Sequence, residues 1–253
     1  MGLEFRIAQT EEELKMAFQV RYAVFGEDCG YLKAEDYPDQ IESDKYDFLE
    51  TTKNFIALDQ GKPIATARLS MKDPLIADEE ETHFGLPVEH IFDLAACKKL
   101  GINVGEISRS AVLGEYRRSR TIMTIWGCII GFAKEYGLTH IVTNANMETD
   151  CMDNAMVIYE LAKKEGYVHQ DIITPPLEEF AQKQKKRSAV LNSPVEIPEI
   201  LQMYARIGTK FISPPIYYSK FNMCSILVIL DFEKINEPCK TYFERSWKRF
   251  NKK

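Results

Sequence analysis

A chain of 253 residues, 45% hydrophobic and 28% charged, is long enough for one large α/β domain or a domain with an insertion, and buries roughly 70 to 75% of its unfolded surface. A net charge of -6 argues against generic nucleic-acid binding, and no apolar run approaches the ~20 residues of a membrane span, so neither a secreted nor an integral membrane protein is expected. Six scattered cysteines, Cys29, Cys97, Cys128, Cys151, Cys224 and Cys239, contain no CxxC pair. Neither a zinc or other metal site nor a disulfide framework is indicated, and a reduced, cytoplasmic protein fits this usage.

In chain order, Phe5 to Ala8 reads as a short strand, and Thr10 with Glu13 predicts a capping box opening a helix to about Phe25. Leu14, Ala17, Phe18, Arg21, Val24 and Phe25 share one face of it. Arg21 therefore sits in an apolar stripe and needs a carboxylate partner, as a structural ion pair or as a substrate-site arginine. Gly26 to Asp47 is longer than an ordinary connection, the length of a binding loop or lid, and Asp44 and Asp47 bracket Tyr46 within it. The alternative for those aspartates is a solvated acidic turn. Asn54 to Asp59 and Pro63 to Ser70 predict a hairpin whose second strand carries Arg68 in an otherwise apolar run. In Asp73 to Gly101, GLPVEHIFDL suggests a helix or short turns, and His83 and His90 lack ligand-spaced companions.

The stretch Val104 to Gly137 reads as a strand, a tight connection and a long helix. Glu106, Ser108 and Arg109 interrupt what should be a buried strand. Ile122, Trp126, Ile129, Ile130 and Ala133 recur at helical spacing, and Gly137 is placed to end the helix. Arg117, Arg118 and Arg120 crowd the helix start, where the dipole already disfavours cations. Either an anion such as a phosphate is received there, or the segment is a solvated basic loop. His140 to Asn146 predicts a strand, Met152 to Glu165 an amphipathic helix closed by Gly166, and Tyr167 to Ile173 a further strand. Pro175 to Ser193, with Lys183, Lys185, Lys186 and Arg187, has the composition of an exposed, mobile insertion. Pro198 to Ile207 predicts a helix ended by Gly208, followed by strands at Lys210 to Ser213 and Cys224 to Asp231. From Pro238, Phe243, Trp247 and Phe250 oppose Lys240, Arg245, Lys248 and Arg249, a helix that packs on the domain or touches a membrane surface.

The helix with Arg21 and Phe25, the loop with Asp44 and Asp47, ARL at Ala67 to Leu69 and EISR at Glu106 to Arg109 resemble, in that order, the acyl-homoserine-lactone synthase branch of the GNAT N-acyltransferases. They are similar also to the N-acyl amino acid synthases and exosortase-associated acyltransferases. The resemblance covers most of Arg21 to Asp231. It implies an α/β fold with a GNAT-type mixed central sheet flanked by helices and an inserted helical segment near the C-terminal half. On this reading 1–253 is a single acyltransferase domain, with 148–196 as insertion and 238–253 as C-terminal helix.

The resemblance further implies an acceptor side of the cleft formed by Arg21, Phe25, Asp44, Asp47, Arg68 and Arg109. Glu106 is then a general base, and Ser108 acts in acyl selection or amine activation. Val112 and Leu113 present backbone to a pantetheine arm, and Arg117, Arg118 and Arg120 receive phosphate. The glycine-rich turn of acetyl-CoA enzymes is absent from Arg117 to Ile122. That departure favours acyl carrier protein as donor and partner, with acyl-CoA as the other co-substrate and no permanently bound cofactor. For the tyrosine that protonates the departing thiolate, Tyr204 with Gly208 fits the family's Tyr-x-x-x-Gly, whereas Ala162 occupies the competing position. The implied reaction is direct attack of an amine on a fatty acyl thioester. In a regular strand Arg109 would point away from Ser108. The rival readings are a short-chain acetyl-CoA N-acetyltransferase and a non-catalytic acyl-ligand sensor.

Overall fold

The computed structural model of the chain describes residues 2–181 and 195–252. Its strands are β1 (Glu4–Ile7), β2 (Thr52–Asp59), β3 (Lys62–Ser70), β4 (Val104–Val112), β5 (His140–Asn146), β6 (Lys210–Phe211), β7 (Ile216–Tyr218) and β8 (Met223–Asp231). Its helices are α1 (Glu11–Tyr22), α2 (Pro74–Glu79), α3 (Ala95–Lys99), α4 (Thr121–Glu135), α5 (Met152–Lys164), α6 (Glu178–Ala181), α7 (Glu199–Ile207) and α8 (Glu237–Phe250). The expected mixed α/β class is present: mostly antiparallel strands flanked by helices. Chain contacts define two compact units, Met1–Lys72 with Gly105–Leu138 and Glu237–Lys253, and Asp73–Val104 with Thr139–Asn236.

In the first unit β1, β2, β3 and β4 pair antiparallel in sequence order. Strand alternation sends Ile56 and Leu58 of β2 against Ala17 and Phe18 of α1, and Phe55 against Phe132 of α4 and Phe250 of α8. The sheet of this unit is thus covered by helices on both faces. Gln60 and Gly61, with φ of 50° and 80°, make the tight turn between β2 and β3. Helix α1 opens as expected, with the Thr10 hydroxyl accepting from the Glu13 N–H at 3.2 Å. It does not end at Phe25 but loosens into a π-helical segment, Ala23–Asp28. There Cys29 N–H reaches the Val24 carbonyl and Tyr31 N–H the Phe25 carbonyl. The apolar face of α8 lies on α4, and two glycines make room for it. A Cβ at Gly131 would fall 2.2 Å from Cγ of Trp247, and one at Gly127 3.0 Å from Cα of Phe243.

In the second unit β5, β6 and β7 each pair antiparallel with β8. Helix α5 falls inside the span expected as an insertion, yet its Ala155, Ile158 and Ala162 are buried with Leu201 of α7 and with Ile226 and Val228 of β8. Tyr167 to Ile173 forms no strand, only a bridge from Val168 to Phe211. The cause is local: Nδ1 of His169 accepts from the N–H groups of Asp171 and Ile172 at 3.0 Å each, turning the chain. Pro175 to Leu177 is tied to Ile91 to Asp93 by backbone hydrogen bonds, so this start of the expected exposed segment is anchored. Lys183, Lys185, Lys186 and Arg187 lie outside the described residues. The strand expected at Lys210 to Ser213 is the two-residue β6, and β7 follows the Pro214–Pro215 break that concealed it in the sequence. His83 and His90 pair with Asp93 and Glu80 at 2.9 and 3.2 Å.

Candidate functional site

Register builds the site. Asn54 of β2 lies opposite Arg68 of β3, and Arg68 lies opposite Ser108 of β4, so three polar side chains form one row across three strands of a largely apolar sheet. Glu106 lies two residues along β4, opposite Ser70, and is only 4% exposed. Arg68 donates from Nε to the Ser108 hydroxyl at 3.1 Å. Arg21 reaches the same row from α1, donating from Nη2 to the Asn54 amide oxygen.

The connection between α1 and β2 supplies the counter-charges. Asp47 accepts both Nη groups of Arg21 at 2.9 Å, a bidentate pair with 0% side-chain exposure on either partner. It also stands 3.2 Å from Nη1 of Arg68. Asp44 accepts from Nη1 of Arg68 at 2.6 Å and from Nη2 of Arg109 at 2.9 Å. Glu42 accepts from Nε of Arg109 at 3.0 Å and lies 3.6 Å from Arg21. The loop holds this shape through its own backbone: the Asp44 N–H donates to Asp47 and the Tyr46 N–H to Asp44, around the 3-10 turn Lys45–Phe48. Tyr46 is buried and lies beneath the Arg68 guanidinium, 5.9 Å from carbon to ring centre. The solvated acidic turn is therefore excluded, because Asp47 is buried and both aspartates are ion-paired.

Arg109 reaches this cluster because β4 bulges. Thr66 pairs with Ala111 and Arg68 with Ser108, so Arg109 and Ser110 together oppose Ala67, and Arg109 takes φ of 52°. In a regular strand Ser108 and Arg109 would point to opposite faces; here Ser108 touches Arg68, and Arg109 shares the Asp44 carboxylate with that same arginine.

Three guanidinium groups thus meet three carboxylates, with Glu106 also felt electrostatically by Arg68. Burial works against the charge on Arg21 and outweighs Asp47, so its pKa is lowered. On Arg68 burial acts the same way, but Asp47 and Asp44 overcome it and the shift is upward. Burial would raise Asp47, yet Arg21 and Arg68 hold its carboxyl below the usual carboxylate range. Nη2 of Arg68 and the hydroxyl of Ser70 are buried without a protein hydrogen-bond partner.

Of the other residues singled out in the sequence, Phe25 and Leu113 pack together against Val20, Val24 and Ala111. The Leu113 N–H is taken by the Ile64 carbonyl at 3.0 Å, and the Val112 carbonyl accepts from Nε of Arg117 at 3.1 Å. Arg117 also pairs with Asp28 at 2.5 Å, Arg118 is exposed, and Arg120 lies over the Tyr242 ring. The three arginines therefore have different surroundings. Tyr204, on α7, is partly buried against the second unit's core with Thr143 as hydrogen-bond partner, and burial pushes its hydroxyl up to about 12. Sequence reasoning missed Glu42 and Asn54. Asn54 was signalled by an amide at the start of an apolar strand, and Glu42 by its two-residue spacing from Asp44.

Residues 20–127, which contain the whole of this cluster, match the family model described as an acetyltransferase (GNAT) domain. An L-ornithine N(alpha)-acyltransferase of Agrobacterium fabrum (strain C58) is 27% identical, over 98% of this chain and 87% of its own. Another, from Rhodobacter capsulatus, is 21% identical over 97% of this chain and 96% of its own. Among solved structures, FeeM, an N-acyl amino acid synthase from uncultured soil microbes, shares the fold with a TM-score of 0.57 at 11% identity, covering 92% of this chain and 94% of that one. Over residues 20–127 the chain is similar to acyltransferases of the GNAT type. Its similarity extends to N-acyltransferases in particular.

Proposed function

We propose that the protein moves a medium or long fatty acyl group from an acyl carrier protein thioester, or from acyl-CoA, to the amine of an amino acid or amino-acid-derived acceptor. The observation that carries this reading is the polar row of Asn54, Arg68 and Ser108 beside Glu106, backed by buried counter-charges. The full-length similarity to enzymes named for ornithine supports an amino-acid α-amine, and makes ornithine the first acceptor to test.

On this reading Glu106, through water, removes the proton that the ammonium must lose before it attacks the thioester carbonyl. Arg68, Arg21 and Arg109 with their aspartates shape the acceptor pocket, and the unpartnered Nη2 of Arg68 and hydroxyl of Ser70 offer donors to a carboxylate acceptor group. Ser108 acts in acyl selection or amine activation. Phe25 and Leu113 contribute apolar surface to the acyl chain. Tyr204, which remains protonated at neutral pH, is the acid for the departing thiolate. Backbone near Val112 receives the pantetheine arm, while Arg117, Arg118 and Arg120 bind its phosphate and the acidic carrier surface. The enzyme works in the cytoplasm without a bound cofactor.

The test is free-thiol release by purified protein given long-chain acyl carrier protein, long-chain acyl-CoA or acetyl-CoA, with ornithine and other amino acids as acceptors, and mass spectrometry of the product. An N-acyl amino acid formed from a long-chain donor supports the reading. Turnover confined to acetyl-CoA makes the protein a short-chain acetyltransferase, and acyl binding without thiol release makes it a sensor.

A further inference from the structure

Away from the polar row, the first unit holds a cavity of about 480 Å³ between the start of β1, the first turn of α4 and the last turns of α8. Three arginines line it: Arg120 at the N-cap of α4, and Arg245 and Arg249 from successive turns of α8. Among the described residues none of the three pairs with a carboxylate, and the lining contains no acidic side chain. On a chain of net charge -6 that is a local reversal of sign. The dipole of α8 favours Arg249 in its last turn, but it gives no reason for Arg120, which stands where the α4 dipole opposes a cation. Arg120 instead extends over the Tyr242 ring, 5.8 Å from its centre, and Tyr242 is fixed by a 2.7 Å hydrogen bond to Thr124. The remaining wall is apolar, from Leu3, Phe5 and Phe250.

We propose that this cavity binds an amphiphilic anion: a phosphate or carboxylate head held by Arg120, Arg245 and Arg249, with an alkyl chain against Leu3, Phe5 and Phe250. Guanidinium groups match oxyanions bidentately, and the volume suits a small amphiphile rather than an inorganic ion alone. The site is separate from the Glu106 row but shares Arg120 with the proposed donor site, so the test changes Arg245 and Arg249 alone; its failure leaves the catalytic proposal standing, and the converse holds.

Dodecyl phosphate below its micellar concentration is the probe, followed by equilibrium dialysis against the full-length protein. Saturable binding that weakens at least tenfold in R245Q/R249Q, and by less than about twofold in K163Q/K164Q on α5, is the expected result. Both pairs are exposed and remove the same charge, so the comparison separates the site from net charge. Sedimentation with phosphatidylglycerol vesicles, set against phosphatidylcholine, tells whether the amphiphile comes from a bilayer or free solution. Equal loss in both variants, inorganic phosphate binding as tightly as dodecyl phosphate, or capture of acyl carrier protein without dodecyl phosphate binding would overturn the proposal.

Discussion

Glu106 and Asp47 are both buried carboxylates, and they stand in different surroundings. Asp47 is consumed by Arg21 and Arg68, whereas Glu106 is buried on β4 opposite Ser70, one register step beyond the row. Glu106→Gln preserves shape and should leave the fold intact while lowering acyl transfer by roughly two orders of magnitude or more, as loss of a general base does. Steady-state rates on a variant with wild-type thermal melting check this; near-normal turnover removes Glu106 from the mechanism. Asp47→Asn should instead act on stability, by about 3 to 5 kcal/mol, because it leaves Arg21 buried without its charge partner. Urea denaturation measures it. The sign with pH follows from the lowered pKa of Asp47. Its contribution is fully present above the unfolded carboxylate value of about 3.9 and is lost as pH falls through the lower native value, so wild type should lose stability in acid that Asp47→Asn has already lost.

At the scale of elements, the bulge in β4 and the α4–α8 contact are the two places where one residue sets the geometry. Arg109 holds a positive φ that a bulky side chain adopts at a cost, and two carboxylates keep it there. The bulge was open in the sequence only as a condition for Arg109 to share a face with Ser108, because the extra residue is counted against a partner strand forty positions away. Helix α8 was readable as an amphipathic helix from Phe243, Trp247 and Phe250, but its landing place was not. Gly131→Leu should displace Trp247, whose indole N–H donates to Glu135 at 2.9 Å, and cost about 1 to 3 kcal/mol as overpacking does. A red shift in tryptophan emission together with a lowered melting temperature is the expected readout; an unchanged spectrum would show that the helices part without strain.

For the molecule as a whole, the proposed donor site at the arginines after β4 makes donor affinity depend on charge. Arg117Gln, Arg118Gln and Arg120Gln combined should raise the donor KM more than they lower kcat, weaken its salt dependence and scarcely move the acceptor KM. Measuring both constants at low and moderate ionic strength with carrier-protein and CoA donors checks this. Because Arg117 already spends one edge on Asp28 and Arg120 turns toward Tyr242, Arg118 should show the largest single effect. Unchanged donor affinity and salt slope would exclude an anion site at this helix start.

Hydrophobic period, capping residues and terminating glycines determined locally where the main helices and long strands lie, and charges inside apolar stripes marked Arg21, Arg68 and Glu106, since burying a charge is costly wherever the chain goes. Only tertiary structure decided which partners meet that cost. Asp44 and Asp47 fitted either a binding loop or a solvent-facing turn until the loop folded over the row, and Glu42 and Asn54 gained meaning only through register and contact. Short elements such as β7, and the turn that replaces a strand at His169, also depended on competing local hydrogen bonds that periodicity does not report. Local pattern follows from the backbone's own geometry, whereas ion-pair identity depends on which distant segments are brought within about 4 Å, and that is settled by packing the whole chain at once.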